Sequence, residues 1–197
     1  MAIRDIPKAI RSTYEIHEWK HASAVLKNDF PNEWNDIFKI LSNFYVYKSQ
    51  ILAPGGGISP ISKVFNDVFC SKGWCEKSFD TKIVVDETTM ESPTHKVDCF
   101  KNGIALEVEW NNKDPFFDRD LNNFRLLFEL RAISVGIIIT KSDELSELFK
   151  SYGTEVWSKY GWSTTWMKKL LPRIEGGGGG GCPILAFGIT KKRCKGD

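Results

Sequence analysis

The chain has 197 residues, of which 42% are hydrophobic and 26% charged. That is enough apolar material for one domain with its own core, and it argues against a disordered chain. With 27 basic against 25 acidic residues the net charge is only +2, too small to indicate a nucleic-acid partner by itself.

Residues 8–27 mix charges with scattered apolar residues and read as helix. Pro31 opens a second predicted helix, with Trp34, Ile37, Phe38 and Leu41 at helical spacing. The run Pro54-Gly55-Gly56-Gly57 breaks structure. After Pro60, the positions of Ile61, Val64, Phe65 and Val68 predict a helix that ends near Gly73. Lys82-Ile83-Val84-Val85 reads as a strand, followed by a polar connection from about Glu87 to Pro93. A hairpin comes next: Lys96-Val97-Asp98-Cys99-Phe100, the turn Lys101-Asn102-Gly103, then Ile104-Ala105-Leu106-Glu107-Val108-Glu109-Trp110. A polar and aromatic loop is expected over 111–118, then a long helix carrying Leu121, Phe124, Leu127, Phe128 and Leu130. Residues 135–140 form a continuous apolar run, typical of a buried central strand. A helix is expected around 144–150, and Ser163 is placed to cap another that holds Trp166 and Leu170. Six glycines at 176–181 precede a last strand over 184–189, and there is no internal repeat. These elements sum to an α/β domain with a central mixed β-sheet flanked by helices.

Five cysteines occur, at 70, 75, 99, 182 and 194. Their odd number, with no leader-like start, predicts reduced thiols and a cytoplasmic location. The spacing of Cys70 and Cys75 matches no zinc pattern, and buried thiols are the expectation for most of the five. No apolar run reaches membrane-spanning length.

The hairpin carries the most chemistry. Side chains alternate along a strand, so Ile104, Leu106, Val108 and Trp110 share one face while Ala105, Glu107 and Glu109 share the other. Two acids on one face of an otherwise apolar strand repel each other and are costly to desolvate. A divalent cation removes that cost. With Asp98 on the partner strand, the three acids suit Mg2+, which takes oxygen ligands, and such a site suits phosphodiester hydrolysis. The plain alternative has Glu107 and Glu109 facing solvent and Asp98 unrelated to them.

A second motif competes. His17-Glu18-Trp19-Lys20-His21 matches H-E-x-x-H, which on a helix would present two imidazoles to Zn2+ with Glu18 as the general base of a metalloprotease. No third ligand is evident: His95 is distant, and Pro31 interrupts the chain before Glu33. Charge is also uneven. Lys168, Lys169, Arg173, Lys191, Lys192, Arg193 and Lys195 stand against Glu175 and Asp197 in the last 38 residues, a net +5, and the remainder carries −3. A basic segment facing an acidic site fits a polyanion bound over metal. The six glycines are not followed by Lys-Ser/Thr, so they are no P-loop; they are either a plain connection or a loop that approaches DNA closely.

Asp98, an eight-residue gap and Glu107-Val108-Glu109, followed by helix, apolar strand and final strand, resemble the PD-(D/E)xK nuclease arrangement. Within it the chain is similar to the BglII/BstYI family of type II restriction endonucleases, related to BamHI, over roughly residues 50–190. The resemblance implies a single nuclease domain over 1–197, with a helical part at 1–50 and a catalytic core at 79–190. It implies Mg2+-dependent cleavage of double-stranded DNA by a homodimer, at a short palindrome that contains GATC, in a system with a cognate DNA methyltransferase. Asp98 and Glu107 match the two metal-binding acids, and the backbone carbonyl of Val108 would also face the metal. Glu109 stands where many of these nucleases place Lys, which removes a lysine base at that position and leaves Glu109 as base or as ligand of a second metal. His95, Lys96, Asn111, Lys113, Lys191, Lys192 and Arg193 are the candidate DNA contacts. A DNA-binding domain that keeps the scaffold without catalysis is the remaining alternative.

Overall fold

The computed structural model describes residues 2–196, without the side chains of Ala2, Ile83, Ser92 and Pro93; Met1 and Asp197, the ends of the expected domain, lie outside it. Its strands are β1 (Tyr14–Trp19), β2 (Val46–Tyr47), β3 (Cys75–Lys77), β4 (Asp80–Val85), β5 (Thr88–Pro93), β6 (Val97–Lys101), β7 (Ile104–Glu109), β8 (Val135–Lys141), β9 (Ile184–Ile189) and β10 (Cys194–Lys195). Its helices are α1 (Lys8–Arg11), α2 (Ala22–Asp29), α3 (Pro31–Asn43), α4 (Lys48–Leu52), α5 (Pro60–Cys70), α6 (Phe116–Glu129), α7 (Leu145–Ser151), α8 (Thr154–Tyr160) and α9 (Met167–Glu175).

Six strands form one mixed sheet in the order β1-β9-β8-β7-β6-β3. The three central strands, β7, β8 and β9, run parallel, and the outer pairings are antiparallel. Both faces are covered. On one, Leu106, Val108, Ile137, Ile139 and Phe187 pack against Ile37, Phe38 and Leu41 of α3 and Phe65 and Phe69 of α5. On the other, Ala105, Ile138 and Ala186 pack against Phe117, Leu121 and Phe124 of α6 and Met167 and Leu170 of α9. Burial on both sides explains why β8 reads as an unbroken apolar run. The α/β architecture read from the sequence, a mixed sheet flanked by helices, is the one observed.

The β6–β7 hairpin turns on Asn102 and Gly103, both at positive φ (46° and 84°), the backbone of a two-residue turn that matches the twist of its strands. Asn102 is held further by its side-chain amide, which donates to Glu33 Oε1 at 2.8 Å.

Four sequence expectations need correction. Residues 14–19 are not helical: β1 pairs antiparallel with β9 at the sheet edge, and its Glu15, His17 and Glu18 are the charged residues that commonly blunt an edge. The expected helical part at 1–50 therefore contributes a strand to the central sheet. The polar connection before the hairpin is instead β5, which pairs with β4 in a separate two-stranded ribbon. Helix α8 was not anticipated, and α9 starts at Met167 with no side-chain cap, so Ser163 does not cap it. The cysteines divide: Cys99 and Cys182 are buried, Cys70 and Cys75 exposed, and all five are free thiols. Among the described residues no helix is long and apolar enough to cross a membrane.

Helix α6 lies very close to the sheet. A Cβ added at Gly136 on β8 would stand 2.4 Å from Phe124 Cδ2, and the Phe124 ring is fully buried with nowhere to move. Gly136→Ala is therefore expected to destabilise the fold by about 1–3 kcal/mol, read as a lower urea midpoint at unchanged slope.

Candidate active site

The acids sit where β6 and β7 part. The ladder between them runs from Lys101↔Ile104 to Cys99↔Leu106, so Asp98 and Glu107 stand opposite each other just past its end. Beyond that point side chains replace the ladder. The Asp98 N–H donates to Glu107 Oε2 at 3.3 Å, and the Val108 N–H donates to Asp98 Oδ2 at 3.1 Å. Each acid is thus fixed by the backbone of the other's strand.

Glu107 and Glu109 share the face of β7 that meets α6, and each is only 1% exposed. They do not face solvent. Helix α6 adds Asp120, which is fully buried, and Arg119. Arg119 Nη2 lies 2.8 Å from Asp120 Oδ1 and 3.6 Å from Glu109 Oε1, with its guanidinium over the Phe116 ring at 4.1 Å. The Asn112 amide donates to Glu109 Oε1 at 3.0 Å. Glu107 Oε1, Glu109 Oε2 and Asp120 Oδ2 are buried with no N–H or hydroxyl donor, and the Glu109 and Asp120 carboxyls hydrogen-bond each other once one holds a proton.

Burial dominates the electrostatics. It pushes Glu109 up to about 9, with the Asp120 charge adding to the effect. Glu107 is raised well above the usual carboxylate range by burial, then by Asp120 and Asp98. Asp120 rises to about 6, again by burial, while Arg119 pulls it down. At neutral pH Glu109 thus keeps its proton and shares it with the Asp120 carboxylate. Asp98, half-buried, is raised by burial against the Val108 N–H, Arg119 and His95.

Among the described residues, no three His, Cys, Asp or Glu side chains stand close enough together to cage a metal ion. Asp98, Glu107 and Glu109 are neighbours, but the convergence expected on one cation is not preformed. Without compensating charge the carboxylates repel, and each takes the nearest donor instead: Val108 N–H, Asp98 N–H, or Asn112 and Arg119. The donor set is entirely carboxylate, and three of its buried oxygens lack an N–H or hydroxyl donor, so these residues fit a hard, oxygen-seeking divalent cation.

Asp98, Val108, Asn111 and Asn112 line an open cleft of about 190 Å³ that Gly55, Gly56 and Gly57 also border. Asn111 Oδ1 is buried without a partner there. His95 stands close enough to Asp98 and Arg119 to feel both charges, and its carbonyl accepts from Asn123 Nδ2 at 3.0 Å. Lys96 is paired with Glu76 at 2.6 Å, and Lys113 donates to Ser163 Oγ at 3.3 Å. Lys191 and Lys192 are exposed beyond β9, with Lys192 donating to the Ser12 carbonyl at 2.8 Å.

Arg193 leaves the set of DNA contacts. It is 4% exposed, and its guanidinium donates to the carbonyls of Leu41, Ser42 and Phe44 while lying 4.0 Å from the Tyr45 ring centre. It ties the C-terminal segment to the end of α3. The six glycines also lie away from the acids. They precede β9 at the end where Ile184 pairs with Gly136, whereas Glu109 lies at the other end, beside Thr140 and Gly188.

The zinc-protease reading is overturned. His17 is on strand β1 and pairs with Glu15 at 2.8 Å, and His21 precedes α2 with a left-handed backbone (φ 58°). Glu18 accepts from the Ser23 N–H at 2.8 Å and from its hydroxyl, bracing the first turn of α2. The motif needs a continuous helix to align its histidines, and this segment is a strand end and a turn.

A family model described as restriction endonuclease BglII/BglIII matches residues 14–189. The chain belongs to this family. It is a type II restriction endonuclease, a site-specific deoxyribonuclease that acts on double-stranded DNA. No curated protein matches the chain.

Sequence reading missed Asp120, although the signal was present. Phe117, Asp120, Leu121 and Phe124 fall at helical spacing on one stripe, and Asp120 is the single acid within it. The raised Glu109 gives a signed expectation. A carboxyl held protonated in the folded state loses stability as pH rises from its ordinary value of 4.5 through about 9. In EDTA, Glu109→Gln should therefore gain stability relative to the parent across that window, as read by urea unfolding at a series of pH values. A constant difference would contradict the assignment.

Proposed function

We propose that this endonuclease hydrolyses phosphodiester bonds in duplex DNA with Mg2+, cutting both strands of a short palindrome that contains GATC. Asp98, Glu107 and the Val108 carbonyl would hold the cation, with Glu109 beside them. The observation that carries this reading is the group of buried carboxylate oxygens without donors at the end of β7, next to an open cleft. When bound, the cation supplies positive charge against the phosphate and acidifies water, chemistry these side chains lack on their own.

The protein's own groups do the rest. Asp98 and Glu107, each fixed by the opposite strand's backbone, set where the scissile phosphate rests. Glu109, once free of its proton, is the base for the attacking water, because the burial that raises it also strengthens its pull on a proton. Asn112 orients it from one side and Arg119 from the other. Asn111 lines the cleft, His95, Lys96 and Lys113 would meet the DNA with it, and Lys191 and Lys192, just past the end of β9, would extend that surface. We take residues 1–197 as one nuclease unit that works as a homodimer, since a palindrome presents two equivalent strands to a two-fold assembly. A DNA methyltransferase protecting the same site would complete the system.

Plasmid incubated with the enzyme and Mg2+ should yield discrete bands, whose ends give the target and stagger. Asp98→Ala should lower the cleavage rate by on the order of 10²-fold or more, the loss of a few kcal/mol of transition-state stabilisation. DNA that is retarded in a gel but never cut would instead mark a binding domain.

A further inference from the structure

We infer that Asp120 of α6 is a further carboxylate ligand of the divalent cation, supplied by the helix rather than by the acidic hairpin. The inference rests on the metal-dependent reading above. The geometry is specific. Asp120 is fully buried, and its direction is set by Phe117, Leu121 and Phe124, which anchor the same helical face in the core. Arg119 binds it through one oxygen only: Nε at 3.0 Å and Nη2 at 2.8 Å both reach Oδ1. A purely structural Arg–Asp pair commonly uses both oxygens, fork against fork. Here Oδ2 is left buried with no N–H or hydroxyl donor, and the contact Asp120 keeps besides Arg119 is with the Glu109 carboxyl, whose proton a cation would replace.

Its neighbours are in the same condition. Glu107 Oε1 and Glu109 Oε2 on β7, and Asn123 Oδ1 one helical turn beyond Asp120, are also buried acceptors without donors. A buried acceptor left unsatisfied costs about 1–3 kcal/mol, so several together call for a missing partner. Ordered water would satisfy the hydrogen bonds but not the charge. Once ionised around a cation, Glu107, Glu109 and Asp120 against Arg119 would carry −2, the deficit a divalent ion fills. Lys141, on which Glu109 also acts, has its side-chain nitrogen committed to the Trp110 carbonyl.

The test uses DNA-free enzyme titrated calorimetrically with MgCl2 or MnCl2 alone. The parent should bind the ion. Asp120→Asn should bind at least tenfold more weakly, Asp120→Glu should keep most of the affinity, and Arg119→Gln should not lose any. Asp120→Ser replaces the asparagine variant should that one fail to fold by circular dichroism. Equal affinity in the parent and Asp120→Asn overturns the inference and leaves the metal-dependent reading standing. Equal losses in Asp120→Asn and Arg119→Gln also overturn it, because Asp120 would then act only by placing Arg119. A parent that binds neither ion overturns both.

Discussion

Three carboxylates buried against one guanidinium, at the end of a central strand, set the terms for the rest of this molecule. Glu107, Glu109 and Asp120 are each at most 1% exposed, and Arg119 is their nearest cation. Moving an ionised carboxylate out of water costs several kcal/mol even after relaxation. The surrounding fold sustains that cost because β7 is packed on both faces, with Leu106 and Val108 in one core and Ala105 in the other. The acids relieve part of it by holding protons, which is why burial raises them all. A site of this kind is poised for positive charge. Its affinity for a cation and its reluctance to ionise have the same cause.

The neighbouring strand could have supplied that charge and does not. Lys141 ends β8, one strand from Glu109, yet it shares its face with Ile137 and Ile139, opposite the face of the acids. There its ammonium donates to the Trp110 carbonyl and lies 4.9 Å from the Trp166 ring centre and 5.5 Å from that of Trp110. Burial pushes its pKa well below the usual lysine value. Glu109 acts on it in the opposite direction, so the packing beneath the sheet weakens this counter-ion without isolating it from the acids.

The parts of the fold legible in the sequence are those written locally. The Asn102-Gly103 turn, the alternation along β7, the apolar run of β8 and the stripes of α3, α5 and α6 each depend on residues close in sequence, and each is present. The errors fall where long-range pairing decides. Strand β1 looks helical by itself and is extended only because it completes the sheet against β9, some 170 residues later. The β4–β5 ribbon was half seen, since its second strand is polar and exposed. Arg193 carries the composition of a solvated tail, and only the fold shows three backbone carbonyls waiting for it. In the site, Glu107 and Glu109 were legible from alternation and Asp98 from the hairpin. Asp120 required noticing one acid inside an apolar helical stripe.

That missed residue bears on what Glu109 means. A lysine at this position would put a cation on the strand itself. With Glu in its place the strand gains an acid, and the nearest positive charge comes from α6 as Arg119, which arrives together with Asp120. Positive charge beside Glu109 therefore comes from the helix, and the depth at which α6 sits becomes part of the site. That depth is set by Phe124, one turn after Asp120, whose ring occupies the space left by the missing side chain of Gly136. A glycine on β8, beneath the helical stripe that carries Asp120, thereby bears on how closely a carboxylate and a guanidinium approach the strand acids. In this chain, packing and electrostatics at the site are controlled through the same helical turn.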